Sequence, residues 1–200
     1  MTLDPAWRQN NLVTADQYLT TILLREQVDN GPMSPVRTVQ QVLRPLLTAW
    51  ANRFLLSVEP SGSFMKGTAV LSGTDIDLFI SLSEDTKESL GEIYEKLFTY
   101  LSGNGYAPTR QNVSLNVRVG QFSVDLVPAK RQNSLSLDHS LYKYKTGSWT
   151  KTNVATHIQT VIAGRRQAET RLLKLWRNQK NIDFPSFYLE LVVIKALGTC

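Results

Sequence analysis

The chain has 200 residues, 42% of them apolar and 20% charged, with a formal net charge of +5. That is enough to bury one good core or two small ones, and the modest positive charge suits a protein that meets phosphates without requiring it. Cys200 is the only cysteine, which excludes a disulfide framework or a cysteine-rich zinc site within one chain. The N-terminal stretch carries Asp4 and no apolar core of a secretory signal, and no run reaches the ~18 apolar residues of a membrane span, so the expected setting is the cytoplasm with no membrane partner.

Residues 12–28 have helical spacing, with Thr14 placed to cap them. NGPMSP then punctuates the chain. Pro35 suits the first turn of a helix over 35–52 that turns Val39, Val42, Leu43, Leu46, Leu47 and Trp50 inward, and Pro45 predicts a kink or break in it. FLLSVEP reads as a short strand ending at Pro60, residues 62–68 as a turn leading into a short helix, and DIDLFISL as the next strand. A helix from near Thr86 to about Leu101 follows, closed by GNG. Residues 106–110 are a strand candidate, and SLNVRV and FSVDLVP form a hairpin about Gly120-Gln121. Residues 129–151 are polar and long for a plain loop, so they are expected to wrap a groove or cross between lobes. Helical patterns cover 152–163, about 166–179 and 186–197, the last opened by Pro185. These elements predict an α+β fold, a small mixed sheet carrying the acids and packed against helices. Residues 1–150 form the core and 151–200 the start of a helical lobe.

The stretch GSFMKGTAVLSGTDIDLFI, residues 62–80, carries the chemistry. Asp75 and Asp77 are two apart in a strand pattern and so share one face. Like charges placed together need a reason, and a bound divalent cation is the usual one. Upstream, Gly62, Ser63, Lys66, Gly67 and Thr68 make a donor-rich turn with one cation, suited to anionic oxygens. Asp125 is a third carboxylate, flanked by Val124 and Leu126. Together they read as a site for a nucleoside triphosphate and two Mg²⁺ ions, with Mn²⁺ an alternative. Asp75 and Asp77 would touch both ions, and Asp125 would orient or deprotonate the incoming hydroxyl. His139 and His157 are isolated and read as ordinary polar contacts, and Trp149 and Trp176 as core or interlobe packing. Lys130, Arg131, Lys143, Lys145 and Lys151 suit either a solvated face or contact with nucleotide or nucleic acid.

With these residues in view, the chain resembles the template-independent branch of the polymerase β nucleotidyltransferase superfamily. The marks are Gly62-Ser63, then Asp75-Ile76-Asp77, then Asp125 on a nearby strand. The form GSxxKGT…GTDIDL…VDLVPA is most similar to oligoadenylate synthase, archaeal-type CCA-adding enzymes and bacterial cyclic-oligonucleotide synthases related to cyclic GMP–AMP synthase. SWTKTNVATHI resembles a W-x-x-T-[ND]-P-x-x-H segment of the bacterial synthases, with Val154 in place of the proline. In RLLKLWRNQ the resemblance implies that Lys174 holds triphosphate oxygens. In DFPSFYLELVVIKAL it implies that Ser186 contacts phosphate and that Phe187 stacks on the donor base, core packing being the equal alternative for Phe187.

The resemblance implies an enzyme that joins nucleoside triphosphates 3′ or 2′ to 5′, releases pyrophosphate and makes a cyclic second messenger for antiviral defence. The alternatives are a transferase acting on a linear RNA end or oligoadenylate, and a nucleotide-binding fragment without turnover. RNA is thus a second candidate partner, although no cysteine pattern supplies a zinc thumb for DNA. The family normally continues with more helical lobe, so the expectation is a truncated chain or a minimal variant. The helix 186–197 is apolar nearly all round, and the chain is expected to form a homodimer through it or to aggregate.

Overall fold

Alternation along one strand sets the layers of this fold. In the computed structural model, which describes residues 13–73 and 75–198, β2 (Ile76–Leu82) turns Ile76, Leu78, Ile80 and Leu82 to one face, where all four are buried. Asp77, Phe79 and Ser81 turn to the other. Asp4, Leu12, Thr74 and Cys200 lie outside the described residues.

Strand β1 (Leu55–Pro60) runs antiparallel to β2 on one side, and β5 (Phe122–Arg131) runs parallel to it on the other. Next to β5 lie antiparallel β4 (Leu115–Val119) and then the short β3 (Thr109–Arg110). The β4–β5 turn is the expected hairpin, with Gly120 at φ 58°, where a glycine costs nothing. The result is the predicted α+β architecture, a small mixed sheet with helices packed against it.

The apolar face packs against α2 (Pro35–Ala51) and α4 (Leu90–Gly103), through Leu43 and Leu47 from one and Tyr94, Leu97 and Leu101 from the other. Helix α1 (Ala15–Arg25) starts in a capping box on Thr14, as its sequence predicts. Helix α2 runs through Pro45 without the break that was one of the two expectations there. Pro45 and Gln41 are both exposed, so water can take the Gln41 carbonyl that the missing N–H would have served. Val42, expected inward, is 54% exposed, while Leu46 and Trp50 are half-buried against the core.

The segment 129–151 is a correction. It is neither a loop nor a groove wrap. Its first residues continue β5, and β6 (His139–Lys143) and β7 (Ser148–Thr152) extend the sheet as an antiparallel ribbon. On the second face, Phe79, Ala129 and Leu141 pack with Val154 at the start of α5 (Val154–Gly164). Helix α5 contacts the short α3 (Gly62–Lys66) and α7 (Ser186–Leu197), while α6 (Gln167–Gln179) bridges α1 and α7. In α7 only Glu190 and Val193 are fully buried, and Tyr188, Leu191, Val192 and Leu197 are exposed. No described helix is long and apolar enough to cross a membrane.

Candidate active site

Asp77 and Asp125 are direct partners in the parallel β2–β5 register, on the face opposite the main core. Parallel neighbours at this spacing, roughly 4.8 Å between strands, bring two carboxylates side by side. Asp75 is exposed and sits immediately before β2. Burial first, then Asp125 and Asp75, push the Asp77 carboxyl up to about 6, while Lys66 and Lys174 pull it the other way. Burial also raises Asp125, with Asp75 adding to it and Asn116 and Ser114 opposing. Among the described residues no three Asp, Glu, His or Cys side chains gather closely enough to enclose an ion by themselves. Two adjacent carboxylates short of positive charge nevertheless fit Mg²⁺, which takes one or two protein carboxylates and fills its shell with water and phosphate oxygens.

Asp125 is held from the neighbouring strand. Asn116, its register partner on β4, donates from Nδ2 to Asp125 Oδ1 at 2.8 Å and to Ser123 Oγ at 2.8 Å. Gln111 Nε2 adds a 3.4 Å contact to the same oxygen. The loop bearing Gln111 is fixed by Tyr94, whose hydroxyl lies 2.8 Å from the Gln111 carbonyl and 2.9 Å from that of Ser114. Sequence reading missed Asn116. Its signal was a polar residue opposite Asp125 in the predicted hairpin.

The turn lies directly against Asp77. Ser61 N–H donates to the Asp77 carbonyl at 2.9 Å, and Gly62 follows at φ 57°. A Cβ on Gly62 would overlap Asp77 Oδ2 and Cγ, so only glycine fits. Helix α3 therefore begins at the acids. Gly67, at φ 70°, ends it, and the Thr68 N–H closes onto the Ser63 carbonyl at 3.0 Å.

Both candidate lysines converge on a residue that sequence reading overlooked. Glu190, 1% exposed on α7, accepts from Lys66 Nζ at 2.9 Å, from Lys174 Nζ at 2.7 Å and from Thr68 Oγ1 at 2.6 Å. Burial pushes the Glu190 carboxyl up, but Lys174 and the hydrogen bonds outweigh it and hold it below the ordinary range. Burial lowers Lys174 against the pull of Glu190. The signal available in the sequence was the lone acid in SFYLELVVIKAL, since a carboxylate in an apolar helix needs a buried partner.

The remaining candidates are less uniform. Ser186 accepts at Oγ from Arg177 Nη1 at 3.1 Å, and the same guanidinium nitrogen donates to the Phe184 carbonyl at 2.6 Å. The half-buried Phe187 ring stacks on His157, with centroids 4.4 Å apart, and Lys66 Nζ lies 4.4 Å from the Phe187 centroid. His157 is thus an aromatic neighbour of the site. His139 is the buried polar contact expected, with Nδ1 2.8 Å from the Leu137 carbonyl and Nε2 2.8 Å from Ser81 Oγ. Of the basic residues, Lys130 donates to the Thr86 carbonyl, Arg131 pairs with Glu84 and Lys151 with Asp138. Trp149 and Trp176, expected in core or interlobe packing, are 58% and 49% exposed, which rules out the core.

No protein-family model matches the chain. Over 180 residues it is 27% identical to a cyclic AMP-AMP-AMP synthase of Escherichia coli (strain MS 115-1), an alignment covering 80% of this chain and 56% of that protein. The chain therefore spans little more than half the length of the curated relative it matches. Among solved structures, the CdnE cyclic dinucleotide synthase of Elizabethkingia meningoseptica, with GTP and Apcpp, superposes with a TM-score of 0.73 at 14% identity, over 90% of this chain and 75% of that one. CdnC of E. coli MS115-1, in complex with HORMA-deltaN, superposes with a TM-score of 0.64 at 22% identity, over 90% and 63%.

Proposed function

From its kinship with bacterial cyclic-oligonucleotide synthases, we propose that this chain carries the nucleotidyl-transfer site of such an enzyme. The site joins nucleoside triphosphates without a template, releases pyrophosphate and makes a cyclic second messenger for antiviral defence. The observation that carries the chemistry is the register pairing of Asp77 with Asp125 beside Gly62, where an added Cβ would overlap the Asp77 carboxylate. The relative's product suggests adenine nucleotides.

In this reading Asp75, Asp77 and Asp125 hold two Mg²⁺ ions, or Mn²⁺ in their place. Bound, such ions neutralise phosphate charge and acidify an attacking hydroxyl. The residues of the chain do the placing. Gly62 and Ser63 present first-turn N–H groups to the phosphate chain, and Lys66 and Lys174 supply positive charge across from the acids. Phe187 stacks on the base of the donor, with Ser186 toward its phosphates. Asp125, oriented by Asn116, faces the incoming 2′ or 3′ hydroxyl and receives its proton. The hydroxyl oxygen bonds to the α-phosphorus and the bond to pyrophosphate breaks, in line. Residues 1–150 act as the core that carries the acids and 151–200 as the part of the helical lobe that closes the donor side. Helix α7, exposed at Leu191, Val192 and Leu197, is the surface on which a second copy would dock, and sedimentation velocity over a hundredfold concentration range checks that.

The deciding experiment incubates the chain with all four ribonucleoside triphosphates and Mg²⁺ or Mn²⁺, with and without RNA. Pyrophosphate release with phosphatase-resistant oligonucleotides is the expected result. Extension of an RNA end or a linear oligoadenylate would replace cyclisation with the linear reading. Triphosphate binding without any product would leave a nucleotide-binding fragment.

A further inference from the structure

The two lysines beside the acids are not equivalent. An ammonium has three N–H donors and accepts nothing. Those of Lys174 are all engaged: Nζ lies 2.7 Å from Glu190 Oε1, 2.9 Å from Thr68 Oγ1 and 3.3 Å from the Thr68 carbonyl oxygen, and the residue is 3% exposed. Lys66 meets one oxygen, Glu190 Oε2 at 2.9 Å, and otherwise lies near the face of Phe187 at 4.4 Å. It is 9% exposed, and it ends the short helix whose first residue, Gly62, abuts Asp77. Glu190 in turn has one oxygen fixed by Lys174 and by Thr68 Oγ1 at 2.6 Å, so the direction of its other oxygen is set.

Resting on the triphosphate reading above, we propose that Lys66 is the lysine that touches the phosphate chain, and that Glu190 is the positioning residue that aims it, with Lys174 and Thr68 bracing Glu190 from behind. Glu190 holds one edge of the Lys66 ammonium and leaves two N–H groups for phosphate oxygens. Because Glu190 sits on α7 and Lys66 on α3, the placement of the C-terminal helix sets the phosphate contact on the sheet side.

Isothermal titration calorimetry of the 200-residue chain with a non-hydrolysable ATP analogue plus Mg²⁺, and separately with adenosine, tests this. Lys66→Met is expected to weaken the analogue by more than about tenfold and to leave adenosine unchanged, since it removes charge-assisted bonds to phosphate alone. Glu190→Gln is expected to weaken the analogue and spare adenosine in the same way. Lys174→Met is expected to lower the melting temperature more than Lys66→Met does and to cost less analogue affinity. Wild-type affinity in Lys66→Met overturns the assignment of Lys66, and an unchanged preference for the analogue in Glu190→Gln overturns the role of Glu190. A larger affinity loss in Lys174→Met at unchanged melting temperature also overturns the division of labour. If Glu190→Gln or Lys174→Met fails to fold, Lys66→Met decides alone. Wild-type chain that binds the analogue no better than adenosine sinks the triphosphate reading itself, and the inference with it.

Discussion

Gly62 and Asp77 are locked together: the glycine backbone passes so near the Asp77 carboxylate that a single added methyl would occupy the space of Oδ2. The contact fixes the distance between the turn and the acids, and so, in the proposed site, between the groups that would hold phosphate and those that would hold metal. Gly62→Ala meets both this overlap and a positive φ of 57°. The backbone term alone is roughly 1–2 kcal/mol, and the displaced carboxylate adds to it. Urea denaturation should show a loss of about 2–4 kcal/mol, together with loss of pyrophosphate release. A variant with full activity would show that the turn can retreat without harm.

Asn116 is the strongest available handle on Asp125, because its amide binds Oδ1 at 2.8 Å. Asn116→Ala leaves Asp125 in its strand but free to rotate. Ligand-orienting partners of this kind are worth about 10–100-fold. Pyrophosphate release should fall by that factor in kcat, with triphosphate binding and melting temperature little changed. A fall confined to KM would place Asn116 on the donor side instead.

Much of this arrangement could be read in the sequence because it is written in local rules. Period-two alternation placed Asp77 and Asp125 on strands, and turn chemistry placed Gly62, Gly67 and Gly120. The ribbon of β6 and β7 was missed because both strands pair at the sheet margin with partly exposed faces, so SWTKT has no apolar alternation to declare it. Val42 was misassigned because an apolar residue need not be inward, a rule that runs one way only. Glu190 was missed for a different reason. Its partners Lys66 and Lys174 lie 124 and 16 residues away in the chain, and only the packing of α7 against the turn brings them together.

In the proposed site, Phe187 offers a test that separates base recognition from phosphate recognition. Its half-buried ring has His157 stacked on it, with centroids 4.4 Å apart, and Lys66 Nζ over it at 4.4 Å, so a base that stacks there takes the place of one of these neighbours. Phe187→Ala should weaken an ATP analogue and adenosine alike, by about 1–3 kcal/mol each, the usual worth of a base–aromatic stack. Phe187→Trp should retain both. Calorimetric titrations of the two ligands make the comparison. A loss limited to the triphosphate would mean that the ring acts only by supporting Lys66, and that its role is packing.

Asp77 gives the sharpest pH test, with chelator present so that no metal interferes. Its folded carboxyl titrates at about 6, against an ordinary 3.8, because burial and then Asp125 and Asp75 oppose its charge. Between those two values the native chain binds more protons than the unfolded chain. Its stability therefore falls as pH rises through that window and does not recover above it. Asp77→Asn keeps the shape and carries no charge, so it escapes this penalty. The variant should match wild type near pH 4 and exceed it at pH 8, by at most about 3 kcal/mol. Adding Mg²⁺ at pH 8 should raise the melting temperature of wild type and leave the variant where it was, because the ion relieves a repulsion the variant no longer has. Urea titrations at the two pH values measure the first effect and thermal melts the second. Equal stability of the two proteins at both pH values would show that Asp77 is not held against its neighbours, and the pairing with Asp125 would then lose its electrostatic meaning.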